Sequence, residues 1–485
     1  MSLKKKVKKS LFWTFSDQVV VQFANLFFGL FIARLLGPES FGIIGVVLMF
    51  TNFAQLFVDM GFGAAIVQNQ QLTSRQYASV FWLNCVIASF IYLLLYFLSD
   101  FVALFFNQPI LSSVIKVSSL SIILNATSIV QFNVLIKSLN FKKKVIINWV
   151  SLFFGYATAI VMALNNYGVW AIVAMYLVNS IVQMFMVWVG SKWYPTLHFE
   201  MAVIRSIWQF GLPAFGDNVL NYWSRNFDNF IIGKCLGTSQ LGIYSRAYSL
   251  MLLPVKNLSS VVSKVFFPAF SQRQEDVTLL ADNYLKLIKY IAVLTFPLLI
   301  GLSLVSNEFV LLFLGEQWKA MIPVLSLLSI VGALQSIVTL NGVIYYSLGK
   351  TKIAFRISLL VNVVLIVSFF VGVQFGIKGV AWSYLLANIL LFYPVYTTAI
   401  GLLNLKISRI FTTLKSVVVA TLAMVFGVCV LGLFLEVKLF YAFILKVSIG
   451  LLIYMWVFYQ LETQFVQIIL GQIRKQIKRV RNENH

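Results

Sequence analysis

The sequence predicts an all-α polytopic membrane protein with about fourteen transmembrane helices. Apolar residues fill 60% of the 485 positions and charged residues only 11%, whereas soluble globular proteins carry about 25% charged residues. Apolar runs of 20 or more residues recur along the chain, and that length crosses a bilayer as a helix. The alternating pattern of outer-membrane strands is absent. A soluble enzyme, a disordered chain and a β-barrel are therefore excluded.

Each apolar segment is a predicted span, and short connections with turn residues such as Gly37-Pro38 separate the segments. The basic start of the chain resembles the beginning of a signal peptide, but the following run is too long and too polar, so we predict an uncleaved first span. The fourteen segments are 11–36, 41–67, 77–98, 110–136, 145–164, 167–189, 205–235, 241–270, 284–306, 320–347, 354–374, 377–403, 413–435 and 439–460.

The distribution of Lys and Arg predicts the topology. With the N-terminus in the cytoplasm, the cytoplasmic termini and loops hold 24 of the 37 basic residues, and the opposite side holds 5. Basic residues are retained in cytoplasmic loops. We therefore predict a multi-pass membrane protein with both termini in the cytoplasm.

An internal repeat divides the chain. A shift of 200 residues aligns 10–45 with 210–245 without a gap and gives nine identities. A weaker echo pairs 137–139 with 346–348. The shift spans six segments, an even number, so the halves are parallel repeats, which are common in transporters. The most informative identities are Asp17 with Asp217, Gly37 with Gly237, and Gly42 with Gly242.

The repeat predicts four regions. Two six-helix bundles, 1–204 and 205–403, surround a central cavity, and two additional transmembrane helices cover 404–460. The basic cytoplasmic tail, 461–485, has apolar residues every three or four positions. That spacing suits a helix on the anionic inner leaflet, and a solvated terminus is an equal alternative.

The seventh segment contains the most polar residues. Asp217, Asn221, Arg225 and Asp228 fall on one helical face, and Arg225 lies about 30 Å along the helix axis from a start near residue 205. Charges inside a span usually face a cavity or a partner. Two interpretations stay open: an ion pair between Arg225 and Asp228 at i, i+3, or a water-filled cavity that this face lines.

Three other segments carry polar stripes at helical spacing. Interhelical bonding explains any one of these residues, but four stripes at repeat-related positions favour a shared central cavity. Its excess of cations predicts an anionic passenger, and Arg suits phosphate through its planar fork of donors. The candidate residues are Asp17, Gln22 and Asn25 in the first segment, Asn52 and Asp59 in the second, and Arg246, Lys256 and Lys264 in the eighth.

Several other functions find no support in the sequence. The net charge of +22 is spread between apolar runs and not along a soluble face, so we expect no nucleic-acid partner. Three scattered Cys and two His predict no disulfide framework, metal site or His-based catalysis. Gly349-Lys350-Thr351 imitates the end of a phosphate-binding loop, but the first glycine of that motif is missing. We therefore expect neither a cofactor nor an enzymatic activity.

Four stretches resemble Wzx-type polysaccharide flippases of the multidrug/oligosaccharidyl-lipid/polysaccharide (MOP) exporter superfamily. They are FIARLLGPESFGIIGV (31–46), FVDMGFGAAIVQ (57–68), NFDNFIIGKCLGTSQLGIYSRAYSL (226–250) and LPVKNLSSVVSKVFFPAFS (253–271). The resemblance implies two six-helix bundles around a cavity, in a multi-pass protein of the bacterial cytoplasmic (inner) membrane. It also implies a cargo of undecaprenyl-pyrophosphate-linked oligosaccharide, which moves from the inner to the outer leaflet by alternating access for surface polysaccharide biosynthesis.

The resemblance also implies partners and alternatives. Membrane lipids surround the protein, and a polysaccharide polymerase and glycosyltransferases are expected to supply and consume the cargo. The first alternative is a cation-coupled small-molecule or drug exporter of the same superfamily, for which an acidic cavity is expected. The second is a membrane glycosyltransferase, polymerase or ligase, but such enzymes display a large external loop, which this sequence lacks.

Overall fold

The computed structural model describes residues 3–60, 62–68, 72–191, 193–434, 437–467 and 471. These residues are almost entirely helical and contain no strand. The side chains of Asp217 and Lys264 and most of the predicted cytoplasmic tail lie outside the described residues. The chain packs as two compact units, Met1–Ser245 and Arg246–His485.

In the described residues of the first unit there are eight helices and the beginning of a ninth. In it α1 packs against α6 and α8, α3 packs against α4 and α5, and α7 packs against α5 and α6. The helices are α1 (Leu3–Asp59), α2 (Phe62–Gln68), α3 (Ser74–Phe105), α4 (Ile110–Ser118), α5 (Leu120–Lys137), α6 (Phe141–Leu164), α7 (Val169–Ser191), α8 (Met201–Leu236) and α9 (Thr238–Ser271).

The second unit begins within α9. A π-helical turn at Val310–Leu314 and a 3-10 turn at Glu316–Trp318 follow the short α11. The remaining helices are α10 (Val277–Leu304), α11 (Ser306–Phe309), α12 (Met321–Ser347), α13 (Thr351–Val373), α14 (Gly376–Gly401), α15 (Ile407–Phe434) and α16 (Leu439–Leu461).

All fourteen predicted spans correspond to helices. Among the described residues, eleven helices are long and apolar enough to cross a membrane. The first of these is 51 residues long and contains two predicted spans, because α1 kinks at Gly37, where φ is 74°. The helices α8 and α9 are 36 and 34 residues long, and in the described part of the chain they are not among these eleven. The polytopic all-α fold is therefore confirmed.

Local sequence signals explain several helix ends. At the start of α3, the Thr73 side chain accepts a bond from the Gln76 amide, and the Gln76 side chain caps Thr73 in return. Asn140 and Asp276 cap α6 and α10 in the same sense, each accepting a bond from the amide three residues later. Such caps satisfy amides that the first helical turn leaves unpaired.

The two additional helices pack on the second unit through apolar contacts and two ion pairs. Ile288 of α10 and Met424 of α15 belong to one buried core with Tyr454 of α16. The Lys289 ammonium lies 2.5 Å from the Glu462 carboxylate, and Lys446 lies 2.6 Å from Glu308. These contacts attach α15 and α16 firmly to α10 and α11.

The packing boundary differs in position from the predicted repeat boundary. The compact units divide after Ser245, whereas the predicted bundles divide between residues 204 and 205. The reason is that α8 packs on α1 within the first unit. The boundary of a sequence repeat need not coincide with the boundary of a compact packing unit. The division into two six-helix bundles therefore remains a prediction.

Candidate substrate-binding site

One face of α8 is polar and exposed. Asn218, Asn221 and Arg225 are all exposed, and their spacing of three and four residues places them on one side of the helix. Arg225 precedes Gly237, the residue that caps the end of α8, by twelve residues, or about 18 Å along the axis. A membrane crossing that ended at Gly237 would place Arg225 near the middle of a hydrocarbon core about 30 Å thick. An exposed charge at this depth needs water around it.

Another part of the α8 surface packs on the second half of α1 through aromatic side chains. The Tyr222 hydroxyl donates a hydrogen bond of 2.7 Å to the Met49 carbonyl. The Phe53 and Trp223 ring centroids lie 5.3 Å apart. No sequence pattern pointed to this interface, because aromatic residues are abundant throughout the chain. It fixes the orientation in which α8 presents Arg225.

The ion pair that the spacing allowed between Arg225 and Asp228 does not form. Asp228 is only 5% exposed, and its carboxylate accepts bonds from the Tyr244 hydroxyl at 3.1 Å and the Asn229 amide at 2.7 Å. Among the described side chains, none forms an ion pair with Arg225. The acid and the base therefore have separate environments, although they are three residues apart.

The predicted polar residues in the first half of α1 face α6. The Asn148 amide donates to Asp17 at 2.9 Å, and the Tyr156 hydroxyl donates to Asn25 at 2.6 Å. Both pairs have the same separation along the chain, so they form two rungs between parallel faces of the two helices. Gln22 lies between the rungs and is half-buried. This arrangement favours interhelical bonding for Asp17 and Asn25.

The second half of α1 presents two exposed polar residues. Asn52 is exposed beside Phe53, and because Phe53 packs on Trp223, Asn52 lies at a height similar to that of Asn221. Asp59 is exposed at the end of α1, where its carboxylate accepts a bond of 3.4 Å from the Gly63 amide. The structure therefore places Asn52, Asn221 and Arg225 on neighbouring helices of one unit.

The remaining predicted residues lie on α9 in the second unit. Arg246 is half-buried and Lys256 is exposed. The side chains of Lys264 and of Asp217 on α8 are outside the described part of the chain. Their membership in a common site stays a prediction.

The sequence repeat produces a close contact between two helix turns. Gly37 and Gly237 adopt nearly the same conformation, with φ of 74° and 87°. A Cβ on Gly42 would overlap the Thr238 carbonyl, and a Cβ on Gly242 would overlap the Pro38 carbonyl. The two turns thus pack backbone to backbone in a reciprocal way, which only glycine permits.

Gln108 joins the same two turns and was not identified from the sequence. Its side-chain amide lies 3.2 Å from the Glu39 carboxylate and 3.1 Å from the Thr238 hydroxyl. Gln108 follows α3, outside both repeat turns, so no periodicity pointed to it. The only available signal was its position in a short turn between two apolar segments.

The described residues contain no group of His, Cys, Asp and Glu that could hold a metal ion. Cys85, Cys235 and Cys429 are free thiols. What the site offers is one guanidinium, two amides and several aromatic rings. These groups bind phosphate oxygens and hydroxyl groups, and they supply no nucleophile activated by a neighbouring base.

Comparison with known proteins identifies a family and relatives that are named for polysaccharide biosynthesis. A family model described as a polysaccharide biosynthesis protein matches residues 31–323. The teichuronic acid biosynthesis protein TuaB of Bacillus subtilis is 29% identical over 80% of this chain and 81% of its own length. The lipopolysaccharide biosynthesis protein WzxC of Escherichia coli is 30% identical over 80% of both chains.

Solved structures share the fold at lower identity. The lipid II flippase MurJ, in an inward closed conformation, superimposes with a TM-score of 0.74 at 16% identity, covering 93% of this chain and all of its own. An inward-facing MATE multidrug transporter of the MOP superfamily gives a TM-score of 0.61 at 15% identity, covering 78% of this chain and 94% of its own. The chain therefore belongs to the polysaccharide biosynthesis protein family and has the multi-pass fold of MOP transporters.

Proposed function

We propose that the protein is a flippase for lipid-linked oligosaccharides. It moves undecaprenyl-pyrophosphate-linked repeat units from the inner to the outer leaflet by alternating access, for surface polysaccharide biosynthesis. The observation that carries this proposal is the exposed Arg225 on the polar face of α8, for which the described side chains offer no acidic partner. A diphosphate supplies the missing negative charge. The names of TuaB, WzxC and MurJ are consistent with such a cargo.

The candidate residues receive different roles. Arg225 binds the diphosphate, and Asn52 and Asn221 bind sugar hydroxyl groups. Asp17 and Asn25 hold α1 against α6. For the remaining candidates the proposed role, carried over from the sequence prediction, is contact with the oligosaccharide; they are Gln22, Asp59, Asp217, Arg246, Lys256 and Lys264.

Asp228 is assigned to positioning. Its carboxylate binds Tyr244, and so it ties α8 to the first turns of α9. This contact sets the rotation of α8 about its axis and thereby the direction of Arg225. The two six-helix repeats, 1–204 and 205–403, are the bodies that we propose move during transport.

We place the protein in the bacterial cytoplasmic membrane with both termini in the cytoplasm. The ratio of 24 to 5 basic residues supports this orientation. A reporter fused after residue 485 should be active only in the cytoplasm. Activity on the outside would reverse the orientation and the direction of transport with it.

Transport is proposed to need neither a nucleotide nor an ATPase subunit. An ion gradient, the membrane potential or consumption of the product outside the membrane supplies the energy. A polymerase and glycosyltransferases are the proposed neighbours in the pathway, because one group of enzymes must build the repeat unit and another must consume it.

Reconstitution tests the proposed function. Purified protein in liposomes should move a fluorescent diphosphate-linked oligosaccharide between leaflets without nucleotide, and an imposed proton or sodium gradient should be tested for stimulation. A cationic dye in the same liposomes tests the alternative, a cation-coupled small-molecule exporter. Transport of the dye and not of the diphosphate lipid would support the alternative, and a strict need for nucleotide and a second subunit would refute the proposal.

A further inference from the structure

The beginning of α13 carries a cluster of exposed cations. Lys350, Lys352 and Arg356 are all exposed, and so is the intervening Phe355. Lys352 and Arg356 are four residues apart and therefore share a face of the helix. With Thr351 and Phe355 they line an open pocket of about 440 Å³. We call Lys350, Lys352 and Arg356 the α13 patch.

An apolar stripe continues from the α13 patch along the same helix. Phe355, Leu359, Val363 and Val367 recur every four residues, and each is more than half exposed. The stripe from 355 to 367 is about 18 Å long at 1.5 Å per residue. The buried residues of α13 are Phe369 and Gly372, both near its far end. A cationic helix end followed by an apolar stripe is complementary to a lipid with an anionic headgroup and a hydrocarbon tail.

The repeat provides a comparison for the α13 patch. α5 and α12 end in the same way, with Leu139 and Gly349 at φ of 56° and 66°. The next helix, α6, also begins with lysines, but two of them have protein partners. The Lys142 ammonium lies 5.8 Å from the Trp13 ring centroid, and the Lys143 ammonium donates to the Gly190 carbonyl at 3.3 Å.

The α13 patch differs from the α6 lysines in being unoccupied by protein. Among the described residues, none forms a hydrogen bond, an ion pair or a ring contact with the side chains of Lys350, Lys352 or Arg356. Three like charges within seven residues repel one another, so an anion that bridges them lowers the electrostatic energy. The patch is thus available to a ligand from the membrane.

We propose that the α13 patch is a docking surface for a lipid with a diphosphate headgroup, the tail of which lies along the apolar stripe. The proposal rests on the proposed function, since the diphosphate lipid is the cargo, and it adds a contact for that lipid on a different helix from the one that carries Arg225. Three cations match a diphosphate, which carries more than one negative charge, better than a phosphodiester, which carries one. Arg356 binds two phosphate oxygens through its fork of donors.

Lipid retention in nanodiscs tests the docking surface. Full-length protein is reconstituted in phosphatidylcholine containing a small fraction of undecaprenyl diphosphate or, in a second arm, phosphatidylglycerol at matched charge. Native mass spectrometry then counts the retained lipid. We compare wild type with the triple variant Lys350→Gln, Lys352→Gln, Arg356→Gln. The matched control is Lys142→Gln, Lys143→Gln, Lys144→Gln, which removes the same charge from α6.

Wild type should retain undecaprenyl diphosphate in preference to phosphatidylglycerol. The triple α13 variant should weaken its retention at least about tenfold, because each cation near an anionic lipid contributes about fivefold, and the α6 control should change it little. Arg356→Lys should fall between wild type and the triple variant. Equal retention of the two lipids would overturn the proposal in favour of general attraction to anionic lipid, and unchanged retention in the triple variant would overturn it outright.

The outcome is separable from the proposed function. Transport of the labelled cargo is measured in parallel with the same protein preparations. If wild type retains the diphosphate lipid through the α13 patch but never transports it, the flippase proposal fails and the docking surface stands. If wild type transports the cargo and the triple variant retains the lipid as wild type does, only the docking surface fails.

Discussion

The first half of α1 and the helix α8 occupy equivalent positions in the repeat but use their polar residues differently. A shift of 200 residues places Asn25 on Arg225. Asn25 accepts a bond from Tyr156 of α6, whereas no described side chain pairs with Arg225. The same helical spacing thus gives an interhelical contact in one copy and an exposed cation in the other. A polar stripe in the sequence predicts that one face of a helix has a structural or functional role. The helices that pack beside this face determine whether its polar residues stabilise the protein or are open to a ligand.

The largest loss of stability and transport is expected where the Gly37 and Gly237 turns pack against each other. Gly42→Ala introduces a Cβ that would overlap the Thr238 carbonyl, and neither backbone can yield. We expect a destabilisation at or above the upper end of about 1–3 kcal/mol and loss of transport. The measurements are the melting temperature in detergent and transport in liposomes.

Gly45→Ala is the matched control for Gly42→Ala. Gly45 lies one turn later on the same helix, and its nearest atoms beyond that helix belong to the flexible Leu241 side chain, at 3.4 Å. This substitution should leave both measurements near those of wild type. Equal tolerance of the two substitutions would show that the turns do not pack as closely as described.

The second-largest effect is expected on export, and it distinguishes Arg225 from Asn25, its equivalent in the repeat. Arg225→Ala removes a charge-assisted bond worth about 1.5–3 kcal/mol, so export should fall about tenfold or more, with protein abundance nearly unchanged. Arg225→Lys keeps the positive charge but loses the planar set of N–H donors. Its export should therefore lie between that of wild type and that of Arg225→Ala. Asn25→Ala should instead lower the melting temperature and affect export only through abundance. Surface-polysaccharide export, normalised to membrane protein, distinguishes the two.

The double variant Arg225→Ala, Asp228→Ala tests whether a hidden ion pair exists. If Asp228 merely neutralised Arg225, the double variant should restore export, because no buried charge would be stranded. Since Asp228 binds Tyr244 and Asn229 instead, we expect no rescue and a further loss of stability. Recovery of both abundance and export would contradict the phosphate-binding role of Arg225.

A smaller loss of stability is expected when the hydrogen bonds between α1 and α6 are removed. Asp17→Ala removes the bond from Asn148, and such interhelical bonds contribute about 0.5–2 kcal/mol in membranes. The melting temperature should fall slightly. Asn148→Ala should have a similar effect, and the double variant should be less destabilised than the sum of the singles. Strict additivity would argue that the two side chains do not interact.

The smallest effect on stability concerns the segment between α7 and α8. Hydrogen bonds from His198 and from Gln76 lower the pKa of Glu200 below its usual value. A carboxyl group with a lowered folded-state pKa stabilises the folded state at neutral pH, and this contribution is lost as the pH falls from the ordinary value through the folded one. Glu200→Gln should therefore lower stability slightly at neutral pH and not at low pH. A constant difference across that range would exclude the linkage.

The sequence alone determined the membrane class, the apolar helices and the glycine turns of the repeat, because hydropathy, length and the conformational freedom of glycine are local properties. It also restricted the polar faces to a few helices. Only the tertiary structure decided that Asp17 and Asn25 bind α6, that Asp228 binds Tyr244 and not Arg225, and that Gln108 joins the two turns. These outcomes depend on which helices pack together and at what rotation. In an apolar chain rich in aromatic residues, many packings satisfy the same hydropathy pattern, so the partner of each polar group is fixed by three-dimensional proximity and not by spacing along the chain.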